Sequence, residues 1–138
     1  MQIEGYIPLG ERHETDELHM WLSQKVVDFL NAERRGANRK HVDKAVLILA
    51  NLRRNGLKDL NNNTMFVTEG RFLSGRSGLA DMAVYAAKSY QLRVYGGIVR
   101  ISGQSVFLCP DGTVKKQNKA DRAQLERVAK ILGDYHER

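Results

Sequence analysis

Between Met82 and Cys109 the chain carries four short apolar runs: "MAVYAA" at 82–87, "YQLRVY" at 90–95, "IVRI" at 98–101 and "SVFLC" at 105–109. Their length and their content of Val, Ile, Tyr and Phe suit strands, and Gly96-Gly97 and Ser102-Gly103-Gln104 separate them as hairpin turns or bulges. The pattern predicts an antiparallel meander of three or four strands.

Upstream the period changes. Ile3 and Ile7 flank Gly5 in a stretch, Gln2 to Leu9, that meets Pro8, which predicts a first strand that is short or lies at an edge. Thr15 is a candidate helix cap, with Asp16 and Glu17 in the first turn. Leu18, Trp21, Leu22, Val26, Phe29 and Leu30 then repeat at three- and four-residue spacing, predicting a helix to about Arg35. Gly36 stops it and Asn38 is placed to cap a second, whose stripe is Val42, Ala45, Val46, Leu49 and Leu52, ending at Asn55 and Gly56. Residues 61–78, rich in Asn, Gly, Ser and Arg, read as a long, irregular, basic connection. Asn118 is placed to cap a last helix with Leu125, Val128, Ala129, Leu132 and Tyr135 on one side. The expected fold class is α+β: an N-terminal strand and a helical hairpin packed on one face of an antiparallel three- to four-stranded sheet, with a C-terminal helix.

The 138 residues suffice for one core and not comfortably for two, so a single domain over 1–138 is expected. No apolar run exceeds six residues, against the roughly 20 of a membrane span, so no membrane association is expected. The opening "MQIEGYIPLGERHE" has neither a basic start nor an apolar core segment, and the single cysteine, Cys109, has no partner for an internal disulfide. A reducing cytoplasm is the expected compartment. The net charge of +6 is unevenly distributed. Residues 1–70 hold ten Lys and Arg against ten Asp and Glu, and residues 71–138 hold twelve against six. A basic excess in one half of a small domain is the electrostatic footprint of a nucleic-acid binder, and an acidic protein partner satisfies the same charge.

The order of elements, with "QLRVYGGIVRI", "SVFLC", "VKKQNK" and a closing "AKILGDY", resembles the RelE/HigB superfamily of toxins, including its phage branch, over about Thr15 to Tyr135. The resemblance implies a RelE-like fold and a small basic protein that cleaves messenger RNA at the ribosome and is neutralised by a cognate antitoxin. It sets "QLR" against the family's "ELR", which puts Arg93 in the cleft strand and Arg100 on the following one. A rival alignment gives those places to Lys88 and Arg93. Lys115, Lys116 and Lys119 match the family's three lysines under either choice. The family's further His, Glu or Tyr has no firm counterpart here, and Tyr135 or His136 are the candidates for it.

Metal-free RNA cleavage needs proton removal from the ribose 2′-OH, stabilisation of charge on the phosphoryl oxygens and protonation of the departing 5′ oxygen. An arginine's planar fork suits phosphoryl oxygens, and a lysine crowded by cations has a lowered pKa. Together with the places that the resemblance implies, this makes the candidate catalytic set Arg93, Arg100, Lys115, Lys116 and Tyr135. Candidate RNA contacts are Lys88, Tyr90, Lys119, Arg122, and Arg71 and Arg76 of the connection. No cofactor is expected, and the spacing of the four histidines suits no metal cluster. The competing expectation is a non-catalytic protein of the RelE/ParE fold that blocks or regulates a host factor.

Overall fold

A computed structural model describes residues 1–60, 65–115 and 121–137. It is an α+β structure with strands β1 (Tyr6–Pro8), β2 (His19–Ser23), β3 (Phe66–Arg76), β4 (Leu79–Ser89), β5 (Leu92–Ile101) and β6 (Gln104–Val114). The helices are α1 (Gln24–Arg34), α2 (Arg39–Asn55) and α3 (Arg122–Tyr135), with a short 3₁₀ turn at Leu57–Leu60. The strands form one sheet in the order β1-β2-β6-β5-β4-β3, antiparallel throughout except that β2 runs parallel to β6. Among the described residues the sheet is thus six-stranded and mixed, where the sequence predicts three or four antiparallel strands.

The expected first helix is a strand followed by a shorter helix. Residues 19–23 are β2, which pairs His19 with Val106 and Leu22 with Cys109. The run Met20, Trp21, Leu22 mimics a helical stripe because the strand is buried on both faces: Met20 and Leu22 enter one core cluster, Trp21 the other. Thr15 caps nothing; Asp16 beside it accepts from the His13 N–H (2.8 Å) and pairs with Arg53 Nε (3.3 Å). The cap of α1 is Ser23, whose Oγ accepts from the Val26 N–H and donates to the Pro110 carbonyl, fixing the helix start to β6.

Helices cover both faces of the sheet. α1 and α2 pack Val26, Leu30, Val42, Ala45, Leu49 and Leu52 against Leu92, Val94, Phe107 and Cys109. α3 packs Leu125, Val128, Ala129 and Leu132 against Met82, Val84, Tyr95, Val99 and Leu108 on the other side. The expected single helical layer fails because β5 and β6 bury consecutive residues, which requires cover above and below.

Two more segments depart from expectation. Most of the predicted 61–78 connection is β3, an edge strand; its exposed polar positions and the glycines at its irregularities make an edge strand read as loop. Gly96 and Gly97 do not turn the chain but lie inside β5. A Cβ on Gly96 would stand 2.6 Å from Phe107 and one on Gly97 2.6 Å from Leu132, so these glycines admit close packing on opposite faces. The cap of α3 is Asp121, accepting from the Ala123 and Gln124 N–H groups; Asn118, the predicted cap, lies outside the described residues.

Candidate nucleic-acid interface

The β4–β5 hairpin sets the geometry. Lys88 and Arg93 are directly opposed, and Arg93 is in turn opposite Thr113 of β6. Tyr95, two residues along from Arg93 and so on its face, belongs to the cluster under α3, so Lys88, Arg93 and Thr113 share the α3 face at one end of the sheet. Lys115 follows β6 at that end, its N–H donating to the Gln91 carbonyl (2.7 Å). Burial, and then the Arg93 guanidinium and the Lys88 ammonium, hold the Lys115 amine below the usual lysine range, against the opposite pull of Glu69. Arg93 Nη1 donates to the Tyr90 carbonyl (2.5 Å) and the Leu92 carbonyl (3.1 Å), which braces the guanidinium against the turn.

Glu69 is the member of this group that sequence reasoning missed. Thr68 pairs with Tyr85 and Gly70 with Val84, so Glu69 is an extra residue in β3, and bulges of this kind re-aim side chains. Its charge acts on both Lys115 and Tyr95. The only local signal was the Glu-Gly pair in a stretch that reads as loop. Tyr95 is fully buried, and among the described residues its hydroxyl has no hydrogen-bond partner. Burial and then Glu69 push that hydroxyl's pKa up to about 12, with Arg93 opposing.

The α3 start is joined to the same end by a carboxylate. Asp111, opposite Tyr95, accepts from Gln124 Nε2 (3.0 Å) and the Gly112 N–H (2.9 Å), and pairs with Lys25 Nζ (3.0 Å). Burial alone would raise its pKa; the bonds from Gln124, Lys25 and Gly112 and the Lys25 charge outweigh burial and lower it.

The other sequence candidates lie elsewhere. Arg100 pairs with Ser105 at the far end of β5, roughly 20 Å along the strand from Arg93. There Arg100 Nε meets Glu137 (3.1 Å) and the Arg100 N–H donates to His136 Nδ1 (3.0 Å). Tyr135 is at the same end, edge-on to Tyr6 at 5.3 Å between ring centres. Arg76 donates to the Gly133 carbonyl (2.5 Å) and the His136 carbonyl, closing the end of α3. Arg71 pairs with Asp81 (2.8 Å) and Arg122 with Glu126 (3.0 Å), and these residues with Phe72, Leu73 and Lys130 line a cavity of about 240 Å³. Tyr90 is on the turn itself, 71% exposed. Lys116 and Lys119 lie outside the described residues.

The structure thus brings together Lys88, Arg93 and Lys115, with Tyr90 on the adjoining turn, and separates Arg100 and Tyr135 from them. No described helix is long and apolar enough to cross a membrane. Comparison with protein-family models, curated proteins and solved structures finds no match for this chain.

Proposed function

We propose that the chain is a RelE/HigB-like toxin, a metal-independent endoribonuclease that cuts messenger RNA at the ribosome and is held in check by a cognate antitoxin protein. One observation carries the reading: Lys88 and Arg93 are directly opposed at one end of the sheet and Lys115 follows β6 at that end, bonded through its N–H to the Gln91 carbonyl of the same turn. Like charges directly opposed across a strand pair cost stability, a cost that an anionic ligand bound between them would offset.

In this mechanism the Arg93 fork and the Lys88 ammonium neutralise the phosphoryl oxygens as charge builds up on them. Glu69 accepts the 2′-OH proton as the 2′ oxygen bonds to phosphorus. The P–O5′ bond breaks, and the Lys115 ammonium, made more acidic by burial and then by Arg93 and Lys88, protonates the departing oxygen. The products are a 2′,3′-cyclic phosphate and a 5′-hydroxyl end.

The separation of Arg100 and Tyr135 from this group favours a second reading, a protein of the same kind that binds and blocks its target without cutting RNA. Controlled expression with mapping of message ends separates the two. Cleavage gives new 5′ ends that vanish in Arg93→Ala. Growth arrest with intact messages would overturn the ribonuclease reading and support the blocker.

A further inference from the structure

Tyr90 is the first residue of a two-residue hairpin loop between Ser89 and Leu92, with φ of +53°, a conformation that Gly or Asn usually supplies. Its ring is largely exposed and lies against His41 of α2 at 5.4 Å between ring centres and 28° between planes. His41 is itself held by Ser89, Nδ1 to Oγ 2.7 Å, so the stack is braced from the strand that precedes the turn. A bulky aromatic kept in a strained backbone state and left in solvent contributes little to the core, and strain of this kind concentrates at functional sites.

The surroundings of the stack are cationic. Lys40 and Lys44 of α2 act electrostatically on His41. On the other side of the turn stand Lys88 and Arg93, the latter bonded to the Tyr90 carbonyl. Among the described residues none of Lys40, Lys44, Lys88 and Arg93 takes part in an ion pair. A flat aromatic face with unneutralised cations to either side is complementary to a base followed by its backbone phosphates.

We infer that the Tyr90–His41 stack is a platform for an unpaired RNA base, so that a single strand leaving the Lys88–Arg93 end of the sheet passes over the β4–β5 turn onto the first turns of α2. This deepens the ribonuclease reading and rests on its RNA-directed part. His41 and Lys44 have no place in the cleavage chemistry, and their role here is binding alone.

The probe is a fluorescein-labelled 12-nucleotide 2′-O-methyl oligouridine, which lacks the attacking hydroxyl, titrated by anisotropy into wild type, Tyr90→Asn, Tyr90→Phe, His41→Ala and Arg93→Ala. Asn suits the positive φ, so Tyr90→Asn removes the ring without backbone cost. Binding is expected to weaken roughly tenfold in Tyr90→Asn and to stay within twofold in Tyr90→Phe, which keeps the stacking face. Lys40→Ala or Lys44→Ala should lower the slope of log affinity against log salt by about one. Loss in Arg93→Ala with Tyr90→Asn unchanged overturns the platform and leaves the ribonuclease reading standing. Loss in Tyr90→Asn with Arg93→Ala unchanged supports the platform and counts against the cleft. Wild type that does not bind the oligomer overturns both.

Discussion

Lys88 and Arg93 occupy directly opposed positions on β4 and β5, one pair short of the hairpin turn, and so hold two positive charges against each other on one face of the sheet. Directly opposed like charges disfavour the pairing, whereas opposite charges support it by about 0.2–1 kcal/mol. Lys88→Glu is therefore expected to raise the urea midpoint slightly and, on the ribonuclease reading proposed above, to abolish message cleavage. Arg93→Ala is expected to leave the fold intact and lower the cleavage rate roughly 10²–10³-fold, the usual loss for removing one charge-stabilising donor. Arg93→Lys should recover only part of that rate because it lacks the planar fork.

Lys115 reports on the same pair. Its amine pKa is lowered by burial first and then by Arg93 and Lys88, with Glu69 opposing. Removing a neighbouring positive charge favours the protonated amine, so Arg93→Ala and Lys88→Ala should each move the Lys115 titration towards the ordinary lysine range. Glu69→Gln should move it further down. Side-chain NMR titration of labelled lysine reads all three shifts, and an unmoved Lys115 titration in Arg93→Ala or in Glu69→Gln would remove that residue from its surroundings.

Asp111 ties α3 to β6 and to the start of α1. Its folded-state pKa is lowered, net, by Gln124, Lys25 and the Gly112 N–H. A carboxylate with a depressed pKa contributes stability that is present above its unfolded pKa of about 4 and is lost as pH falls through the folded value. Asp111→Asn should cost about 1–3 kcal/mol at pH 7, and the gap to wild type should narrow below about pH 4. Lys25→Ala should cost less than about 1 kcal/mol, because the lysine side of that pair is in solvent. Urea unfolding at pH 7 and pH 3 checks all three values.

Gly97→Ala would place a methyl 2.6 Å from Leu132 and 2.7 Å from the Ala83 carbonyl. The backbone side of that contact cannot swing away, so α3 must lift from β5, at a cost of about 1–3 kcal/mol. A lowered thermal midpoint is expected, with the largest loss of amide protection in α3.

Arg76→Met removes donors from the Gly133 and His136 carbonyls and should destabilise the fold by about 1–2 kcal/mol without altering the salt dependence of RNA binding. Arg100→Ala and Tyr135→Phe, at the end of the sheet remote from Arg93, should leave cleavage within a few-fold of wild type.

The apolar stripes of α2 and α3 and the runs of β4, β5 and β6 were legible in the sequence, because repeating burial on one element leaves a local period in its residues. Lys88, Arg93 and Lys115 were legible as charges on such elements. Local periods say nothing about which element lies beside which. That is why "HMWLS", a strand buried on both faces, reads as helix, and why the edge strand at 66–76, open on one side, reads as loop. The tertiary structure alone decided that helices cover both faces of the sheet, that a bulge in β3 holds the Glu69 whose charge acts on Lys115, and that Arg93 and Arg100 stand at opposite ends of one strand. These relationships depend on pairing register between residues far apart in the chain, and register is set by the whole sheet and its two helical layers, not by any one segment.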